Sequence, residues 1–211
     1  MRYIAVEGPI GVGKTALVGL LAERLKARPV LESVEENPFL EKFYLDPRGY
    51  AFQTQLFFLL ARHRQQREMA QPELFDEAVV SDYLFDKDRV FAYLNLTEHE
   101  LALYERIYAF LVKEVPTPDI VVYLQARTDV LLARIRQRAR PFESAIDPAY
   151  LDSLSNAYNR FFLHYESAPL LIVNTERLDF VANRDDFDDL LREIQATTVG
   201  RRFYSPRGKA R

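Results

Sequence analysis

Cysteine is absent from the 211-residue sequence, and its absence excludes several kinds of chemistry. Disulfide bonds, thiol catalysis and zinc sites with cysteine ligands all require this residue. The three histidines, His63, His99 and His164, are isolated from one another, unlike the closely spaced ligands of a zinc site. We expect each of them to be a core or surface residue, and the sequence shows neither a Ser-His-Asp nor a zinc arrangement.

The chain also lacks a long hydrophobic run and a strong excess of charge of one sign. No apolar stretch reaches the roughly 18 residues of a membrane-spanning helix, and Met1 leads directly into a strand-like segment, not a signal peptide. The formal net charge of −3 comes from acidic and basic residues mixed along the chain, which argues against coating of nucleic acid or membranes. We therefore expect a cytoplasmic protein whose partners are small molecules, not nucleic acids or membranes.

Short apolar runs alternate with helical patterns, which predicts an α/β fold. Such alternation is typical of a parallel sheet that helices cover on both faces. We expect one domain over residues 1–199 and a flexible basic tail over residues 200–211, for which a binding arm is the alternative interpretation. Five strands are predicted at residues 3–6, 30–31, 78–80, 120–124 and 170–173.

Capping residues indicate where several helices begin. Thr97 and Glu100 form a capping box before one predicted helix, and Thr128 can cap the next. Asp147 precedes a third, with Pro148 at its first position. A longer helix is expected over residues 50–69, where polar residues are interspersed among apolar residues at helical spacing. Some polar side chains of this helix should therefore point inward.

The segment GPIGVGKT matches the pattern of a phosphate-binding loop and lies between a predicted strand and a predicted helix. Gly8, Gly11 and Gly13 allow backbone N–H groups to turn toward an anion at a helix N-terminus. Lys14 would contact the β and γ phosphates of a nucleotide, and Thr15 would hold Mg²⁺. The sequence therefore predicts a site for a nucleotide with Mg²⁺.

Two carboxylates follow predicted strands and are candidates for the same site. Asp82 follows the third strand and is expected to bind Mg²⁺, although a helix cap is the alternative interpretation. Glu32 follows the second strand, at the edge where ligands bind, and could accept a proton from an attacking hydroxyl as general base. Glu35 and Glu36 are expected to be solvated.

Arginines cluster between residues 134 and 140. Arg134 and Arg138 are four residues apart, so they share one helix face that could close over phosphates. A solvated basic face and a nucleic-acid patch are the alternatives. The proline that follows Arg140 breaks helical geometry, which favours a lid near residues 136–146.

Five segments together have the order and spacing of a known family. They are GPIGVGKT, LESVEENPFLEKFY, AFQTQLFFLLAR, VVSDYLFDKD and RQRARPFE, and they extend over nearly the whole chain before the tail. With them the sequence resembles the deoxyribonucleoside kinase family. The resemblance implies a P-loop kinase fold and transfer of the γ phosphate of ATP to the 5′-hydroxyl of a deoxynucleoside, in nucleotide salvage. It also implies a homodimer formed through the helices of residues 85–113.

The resemblance further implies roles for residues of the acceptor site. Glu32 matches the family's general base, while Tyr44 and Glu143 match the residues that hold the sugar 3′-hydroxyl. Gln55 matches the glutamine that pairs with the base edge.

The base is further implied to contact a charged pair, which Arg62 and Asp88 match. Phe58 lies on the same helix face as Gln55 and Arg62, where an aromatic ring can stack on the base.

The donor site is implied in the same way. Arg134, Arg138 and Arg140 match the lid arginines, and Arg138 joins Lys14 and Glu32 as a catalytic residue. The segment Asp185-Asp186-Phe187 resembles the loop that meets the adenine of ATP, with Asp186 and Phe187 as contact residues.

The sequence departs from the family pattern after Asp82. The family usually has an arginine and a serine there, whereas this chain has Tyr83 and Leu84. Arg62, Lys87 or a lid arginine could supply the missing cation. The Asp-Tyr form is similar to some bacterial deoxyguanosine-kinase-like sequences.

The base preference follows from three side chains. Gln55 can present a donor or an acceptor by rotating its amide, so it does not distinguish the purines. Arg62 can donate to O6 and N7 of guanine, and Asp88 can accept from an amino group or from the N1–H of guanine. The pair argues against thymine, which has neither an exocyclic amine nor N7. We expect deoxyguanosine first, deoxyadenosine second and deoxycytidine third.

Two rival functions share the phosphate loop. A nucleoside monophosphate kinase of the thymidylate type would normally carry an arginine where Tyr83 stands. A non-enzymatic P-loop switch selective for guanine needs an Asn-Lys-x-Asp motif late in the chain, and the sequence has none.

Overall fold

The computed structural model describes residues 3–70, 78–140, 143 and 146–206. In this part of the chain, six strands form one parallel sheet in the order β2-β3-β1-β4-β5-β6. The strands are β1 (Tyr3–Glu7), β2 (Arg28–Val30), β3 (Val79–Ser81), β4 (Ile120–Gln125), β5 (Leu170–Asn174) and β6 (Arg201–Tyr204).

Eight α-helices connect or flank these strands within the described residues. They are α1 (Lys14–Leu25), α2 (Leu40–Leu45), α3 (Pro47–Ala70), α4 (Lys87–Asn95), α5 (Glu98–Leu111), α6 (Thr128–Arg138), α7 (Pro148–Leu163) and α8 (Arg184–Ala196). Short 3₁₀ turns occur at Val34–Glu36 and Val112–Glu114. None of the described helices is both long and apolar enough to cross a membrane.

The predicted α/β architecture is confirmed, with one strand more than expected. All five predicted strands are present, and β6 adds a sixth beside β5, where Leu170 pairs with Arg201. The expectation of a flexible tail from residue 200 is therefore wrong for residues 201–204. Arg201, Arg202 and Phe203 are exposed, so this edge strand lacks the apolar run that marks the other strands. Residues 207–211 of the predicted tail lie outside the described residues.

The central strands are buried because helices cover both faces of a parallel sheet. All five residues of β1 are buried, and so are the first five of β4. Since all strands run in one direction, their carboxyl ends meet at one edge. This edge carries the phosphate loop after β1, residue 82 after β3 and residue 32 after β2.

Two of the three predicted helix caps are confirmed. Glu100 accepts a hydrogen bond from the Thr97 backbone N–H at 2.9 Å, ahead of α5. Asp147 accepts one from the backbone N–H of Ala149 at 3.0 Å, ahead of α7. The predicted cap at Thr128 is wrong, because α6 already begins at this residue. Its hydroxyl instead donates to the Asp152 carboxylate on α7 at 3.0 Å.

The long helix α3 carries polar side chains inward, as predicted. Thr54, Gln55, Arg62 and Gln66 are each at most 5% exposed. The inward face of α3 packs on α2, α4 and α5. These buried polar groups need hydrogen-bond partners, and Gln55 and Arg62 find theirs at the candidate site.

Candidate active site

A cavity of about 390 Å³ lies at the carboxyl edge of the sheet. The phosphate loop and α1 border it on one side and α3 on the other, while α4 and the end of α6 contribute further residues. The predicted site residues on its wall are Gly11, Lys14, Thr15, Glu32, Tyr44, Gln55, Phe58, Arg62, Asp82, Arg138, Arg140 and Glu143. The structure thus brings together most of the residues that the sequence proposed.

The phosphate loop adopts a conformation that its glycines make possible. Gly8, Gly11 and Gly13 have φ angles of 150°, 84° and 107°, in a region that other residues rarely adopt. A Cβ atom on Gly8 would lie 2.5 Å from the carbonyl oxygen of Leu124, and one on Gly11 would lie 2.8 Å from that of Leu131. A side chain at either position would therefore push the loop away from β4 or α6.

Lys14, the first residue of α1, folds back over this loop. Its Nζ donates to the carbonyl oxygens of Gly8 at 2.7 Å and Pro9 at 3.3 Å. Burial, and then the neighbouring positive charge of Lys87, lower the pKa of Lys14 to about 8. The ammonium is thus held at the N-terminus of a helix, where phosphate groups bind readily.

Asp82 and Thr15 meet next to the loop. The Thr15 hydroxyl donates to Asp82 Oδ2 at 2.8 Å, and the backbone N–H of Glu32 donates to Asp82 Oδ1 at 2.7 Å. A hydroxyl beside a carboxylate is an all-oxygen donor set, which suits Mg²⁺ because this ion usually takes only one or two protein ligands. The described residues include no cluster of three or more His, Cys, Asp or Glu side chains for a larger metal site.

Glu32 is held by two cations. Arg62 Nε donates to Oε1 at 2.7 Å, and Lys87 Nζ donates to Oε2 at 3.0 Å. Burial acts to raise the pKa of Glu32, but Arg62 and Lys87 outweigh it and lower the pKa to about 2. The carboxylate is therefore ionised at neutral pH. Glu35 and Glu36 nearby are exposed, as expected.

Asp88 lies behind the cavity wall. It is fully buried, and hydrogen-bond donors from Gln55, Arg62 and Tyr104 converge on its carboxylate. The Gln55 amide nitrogen also donates to the Asp88 carbonyl oxygen at 2.9 Å. Both hydrogens of this amide are thus engaged, so Gln55 offers an acceptor oxygen to a ligand. Asp88 holds Gln55 and Arg62 in place and does not itself reach the cavity.

Tyr44, Glu143 and Phe58 form the remaining walls of the predicted acceptor site. Arg138 Nε donates to Glu143 Oε2 at 3.1 Å, which connects the end of α6 to this wall. The centroid of the Phe58 ring lies 4.8 Å from the Arg62 guanidinium carbon. Tyr150, on α7, also lines the cavity and was not anticipated, because its sequence context looks like that of any amphipathic helix.

The predicted lid arginines differ in their surroundings. Arg138 and Arg140 line the cavity, and the Arg140 guanidinium lies 3.8 Å from the Glu35 carboxylate. Arg134 instead donates to the Val12 carbonyl oxygen at 3.1 Å and to the Thr175 carbonyl oxygen at 2.8 Å. It thereby joins α6 to the phosphate loop. Residues 141, 142, 144 and 145 of the predicted lid lie outside the described residues.

Asp186 and Phe187 lie on α8, outside the cavity wall. Asp186 accepts a hydrogen bond from the Asp179 backbone N–H at 2.9 Å, and Phe187 is buried in the core. The segment between β5 and α8, which contains Phe180, approaches the phosphate loop: a Cβ on Gly13 would lie 3.2 Å from the Phe180 ring. Asp186 therefore holds a segment that borders the loop.

Comparisons with known proteins give a consistent result. A family with the description "Deoxynucleoside kinase" matches residues 4–199. Deoxyguanosine kinase of Bacillus subtilis (strain 168) is 35% identical, covering 93% of this chain and 98% of that protein. The deoxyadenosine kinase of Lactobacillus acidophilus (strain ATCC 700396 / NCK56 / N2 / NCFM) is 29% identical, covering 92% and 95%.

Solved structures are similar as well. That of deoxyadenosine kinase from M. mycoides with bound dATP has a TM-score of 0.80 and 26% identity, covering 92% of this chain and all of that one. The same kinase with the products dCMP and a flexible dCDP gives a TM-score of 0.81. The predicted P-loop kinase fold is thus confirmed.

Proposed function

The chain belongs to the deoxynucleoside kinase family, and from this premise we propose that it transfers the γ phosphate of ATP to the 5′-hydroxyl of a purine deoxyribonucleoside. Its activity as a kinase of deoxynucleosides follows from the family. ATP as donor, Mg²⁺ as cofactor and the purine preference are the proposed part.

One observation carries the proposal: the phosphate-loop lysine and an ionised carboxylate share one cavity. Lys14 and Glu32 both line it, and the pKa of Glu32 is lowered to about 2, so it can accept a hydrogen bond from a hydroxyl. The cavity volume of about 390 Å³ is within the range of small-molecule sites. Donor phosphates and an acceptor alcohol would therefore meet between these two side chains.

The chain's own residues would then position and neutralise the reacting groups. Lys14 and Arg138 would contact the transferring phosphate, while Glu32 would orient the 5′-hydroxyl and accept its proton late in the transfer. Thr15 and Asp82 would hold Mg²⁺, which supplies positive charge against the phosphates. Phosphoryl transfer depends mainly on such positioning and charge neutralisation, so a carboxylate of low pKa is adequate as base.

The sugar and the donor nucleotide would be bound on opposite sides of the transferring phosphate. On the acceptor side, Tyr44 and Glu143 would hold the 3′-hydroxyl. On the donor side, Arg140 would contact phosphates, Arg134 would keep α6 against the phosphate loop, and Asp186 with Phe187 would shape the segment that meets adenine.

Gln55 and Arg62 support a purine preference. The amide oxygen of Gln55 can accept from the N6 amino group of adenine or the N1–H of guanine. Three of the five Arg62 N–H groups have carboxylate partners, and the other two can donate to O6 and N7 of guanine. Phe58 would stack on the base. The proposed order is deoxyguanosine, deoxyadenosine and then deoxycytidine.

A homodimer formed through α4 and α5 is part of the proposal. Leu103 and Phe110 lie seven residues apart on α5 and so share one helix face, and they are 50% and 79% exposed. Tyr93 on α4 is 57% exposed. Exposed apolar side chains of this kind are typical of subunit interfaces. Light scattering should therefore give twice the chain mass of 24.6 kDa. Substituting Phe110 by Asp should shift the protein toward the monomer, and a wild-type monomer would contradict this part of the proposal.

Initial phosphorylation rates with Mg·ATP test the proposed function directly. The acceptors are deoxyguanosine, deoxyadenosine, deoxycytidine, thymidine and thymidine monophosphate. We expect the highest kcat/KM for a purine deoxynucleoside and ATP turnover that depends on the acceptor. Activity confined to thymidine monophosphate would identify a nucleoside monophosphate kinase, whereas turnover that no acceptor stimulates would favour a nucleotide switch.

A further inference from the structure

The segment after β3 offers no cation next to Asp82. Tyr83 and Leu84 follow in the chain, and both side chains are buried. The first cationic side chain after them is that of Lys87, which begins α4. If the chain after β3 supplies a positive charge to this part of the cavity, the charge must therefore be that of Lys87 in the first turn of α4.

Lys87 is buried although it carries a charge. Its side chain is 3% exposed, with Nζ 3.0 Å from Glu32 Oε2 and 3.8 Å from Glu7 Oε1. An unpaired ammonium in such a place is costly, so these two carboxylates are what permit its burial. Because Lys87 also lines the cavity, its charge lies where a substrate can approach.

Glu7 ties Lys87 to the phosphate loop. The Glu7 carboxylate accepts hydrogen bonds from the backbone N–H groups of Gly8 at 3.0 Å and Leu84 at 2.7 Å, and from the Tyr158 hydroxyl at 2.9 Å. These donors belong to the loop, to the segment after β3 and to α7. The Lys87 ammonium is therefore positioned against a carboxylate that is itself fixed by backbone groups.

Glu32 has a separate cation on each carboxylate oxygen. Arg62 binds Oε1 from α3, and Lys87 binds Oε2 from α4. The terminal torsion of a glutamate is broad, so one partner leaves the plane of the carboxylate free to turn. Partners on both oxygens fix this plane and hence the position of a hydroxyl that donates to it.

We propose that Lys87 is the positioning residue that fixes the Glu32 carboxylate for phosphoryl transfer, with Glu7 as its anchor. The inference rests on the proposed function, because it gives Glu32 the acceptor hydroxyl as its ligand. Lys87 acts through Glu32, so its loss should impair the chemical step more than the binding of either substrate. Small displacements of a reacting group are known to have large effects on rate.

Lys87→Met is expected to lower kcat about 10- to 100-fold while the KM for ATP and for the deoxynucleoside changes less than about threefold. Lys87→Arg restores a cation and should recover most of the lost kcat. Lys26→Met, at an exposed lysine directly after the end of α1, is the matched control and should keep wild-type kinetics. A raised KM for ATP with unchanged kcat would show that Lys87 binds the donor, and would overturn the proposal.

A double variant keeps the test decisive if Lys87→Met does not fold. Adding Lys87→Met to Glu32→Gln removes the buried ammonium together with its charged partner. If Lys87 acts through Glu32, the double variant should have the kcat of Glu32→Gln within about twofold. A further loss of about 10-fold or more would overturn the proposal.

The two proposals fail in different ways. A wild-type protein without acceptor-dependent ATP turnover would contradict the proposed function. A wild-type protein with that turnover, but with Lys87→Met retaining full kcat, would contradict only the role of Lys87.

Discussion

Replacing Glu32 by glutamine is expected to lower kcat about 10²- to 10⁴-fold while ATP still binds. The substitution removes the proton acceptor and the negative charge that Arg62 and Lys87 hold in place. ATP binding should persist because the Lys14 and Thr15 side chains hydrogen-bond to Gly8, Pro9 and Asp82 and not to the Glu32 carboxylate. Steady-state rates with the preferred deoxynucleoside, together with calorimetric titration of ATP, check both halves of this expectation.

Glu41→Gln is the control for this experiment. Glu41 is exposed on α2 and does not line the cavity, so the variant should keep wild-type kcat. If Glu32→Gln also kept its kcat, Glu32 would have no part in proton acceptance or in orienting the hydroxyl. Loss of ATP binding in Glu32→Gln would instead indicate a general disruption of the site.

Arg62→Met is expected to lower the free energy of unfolding by about 3–5 kcal/mol. The side chain of Arg62 is 4% exposed and pairs with both Glu32 and Asp88. These carboxylates raise the pKa of the guanidinium against the opposing effect of burial, so the arginine is charged in the folded protein. Its removal leaves Asp88 buried without a cation, which is far more costly than the loss of a surface ion pair.

Urea unfolding measures this difference, with Arg64→Met as the matched control. Arg64 lies on the same helix, but its side chain is 67% exposed and its contact with Glu36 is 3.7 Å long. The control should change the free energy of unfolding by less than about 0.5 kcal/mol. A similarly small change in Arg62→Met would mean that the buried charges are compensated by other groups.

The strand ends show what could be predicted about the site. Glu32 and Asp82 each follow a short apolar run, and parallel strands bring their carboxyl ends to one edge of the sheet. The 2.7 Å hydrogen bond between the Glu32 backbone and Asp82 is a detail of this arrangement. The proximity of Glu32 and Asp82 can therefore be predicted from their positions directly after strands, without knowledge of any side-chain contact.

Two features could not be predicted from the sequence: the edge strand β6 and the depth at which Asp88 lies. Residues 201–203 are exposed, so β6 has no apolar pattern to reveal it, and among the described strands its backbone pairs only with β5. Asp88 was expected at the base, but packing of α3 on α4 and α5 places it behind Gln55 and Arg62. Sequence spacing indicates which helix face a residue occupies and not the depth at which it lies.

The sequence by itself determined the phosphate loop and the alternation of strands and helices, because both depend on local backbone preferences and on the period of buried residues. The tertiary structure alone decided which cations hold Glu32. Arg62 and Lys87 lie 30 and 55 positions from it along the chain, and Lys87 lies 80 positions from Glu7. Such contacts depend on how whole helices and strands pack. The pattern of hydrophobic residues indicates which side chains are buried, but not which side chains they contact.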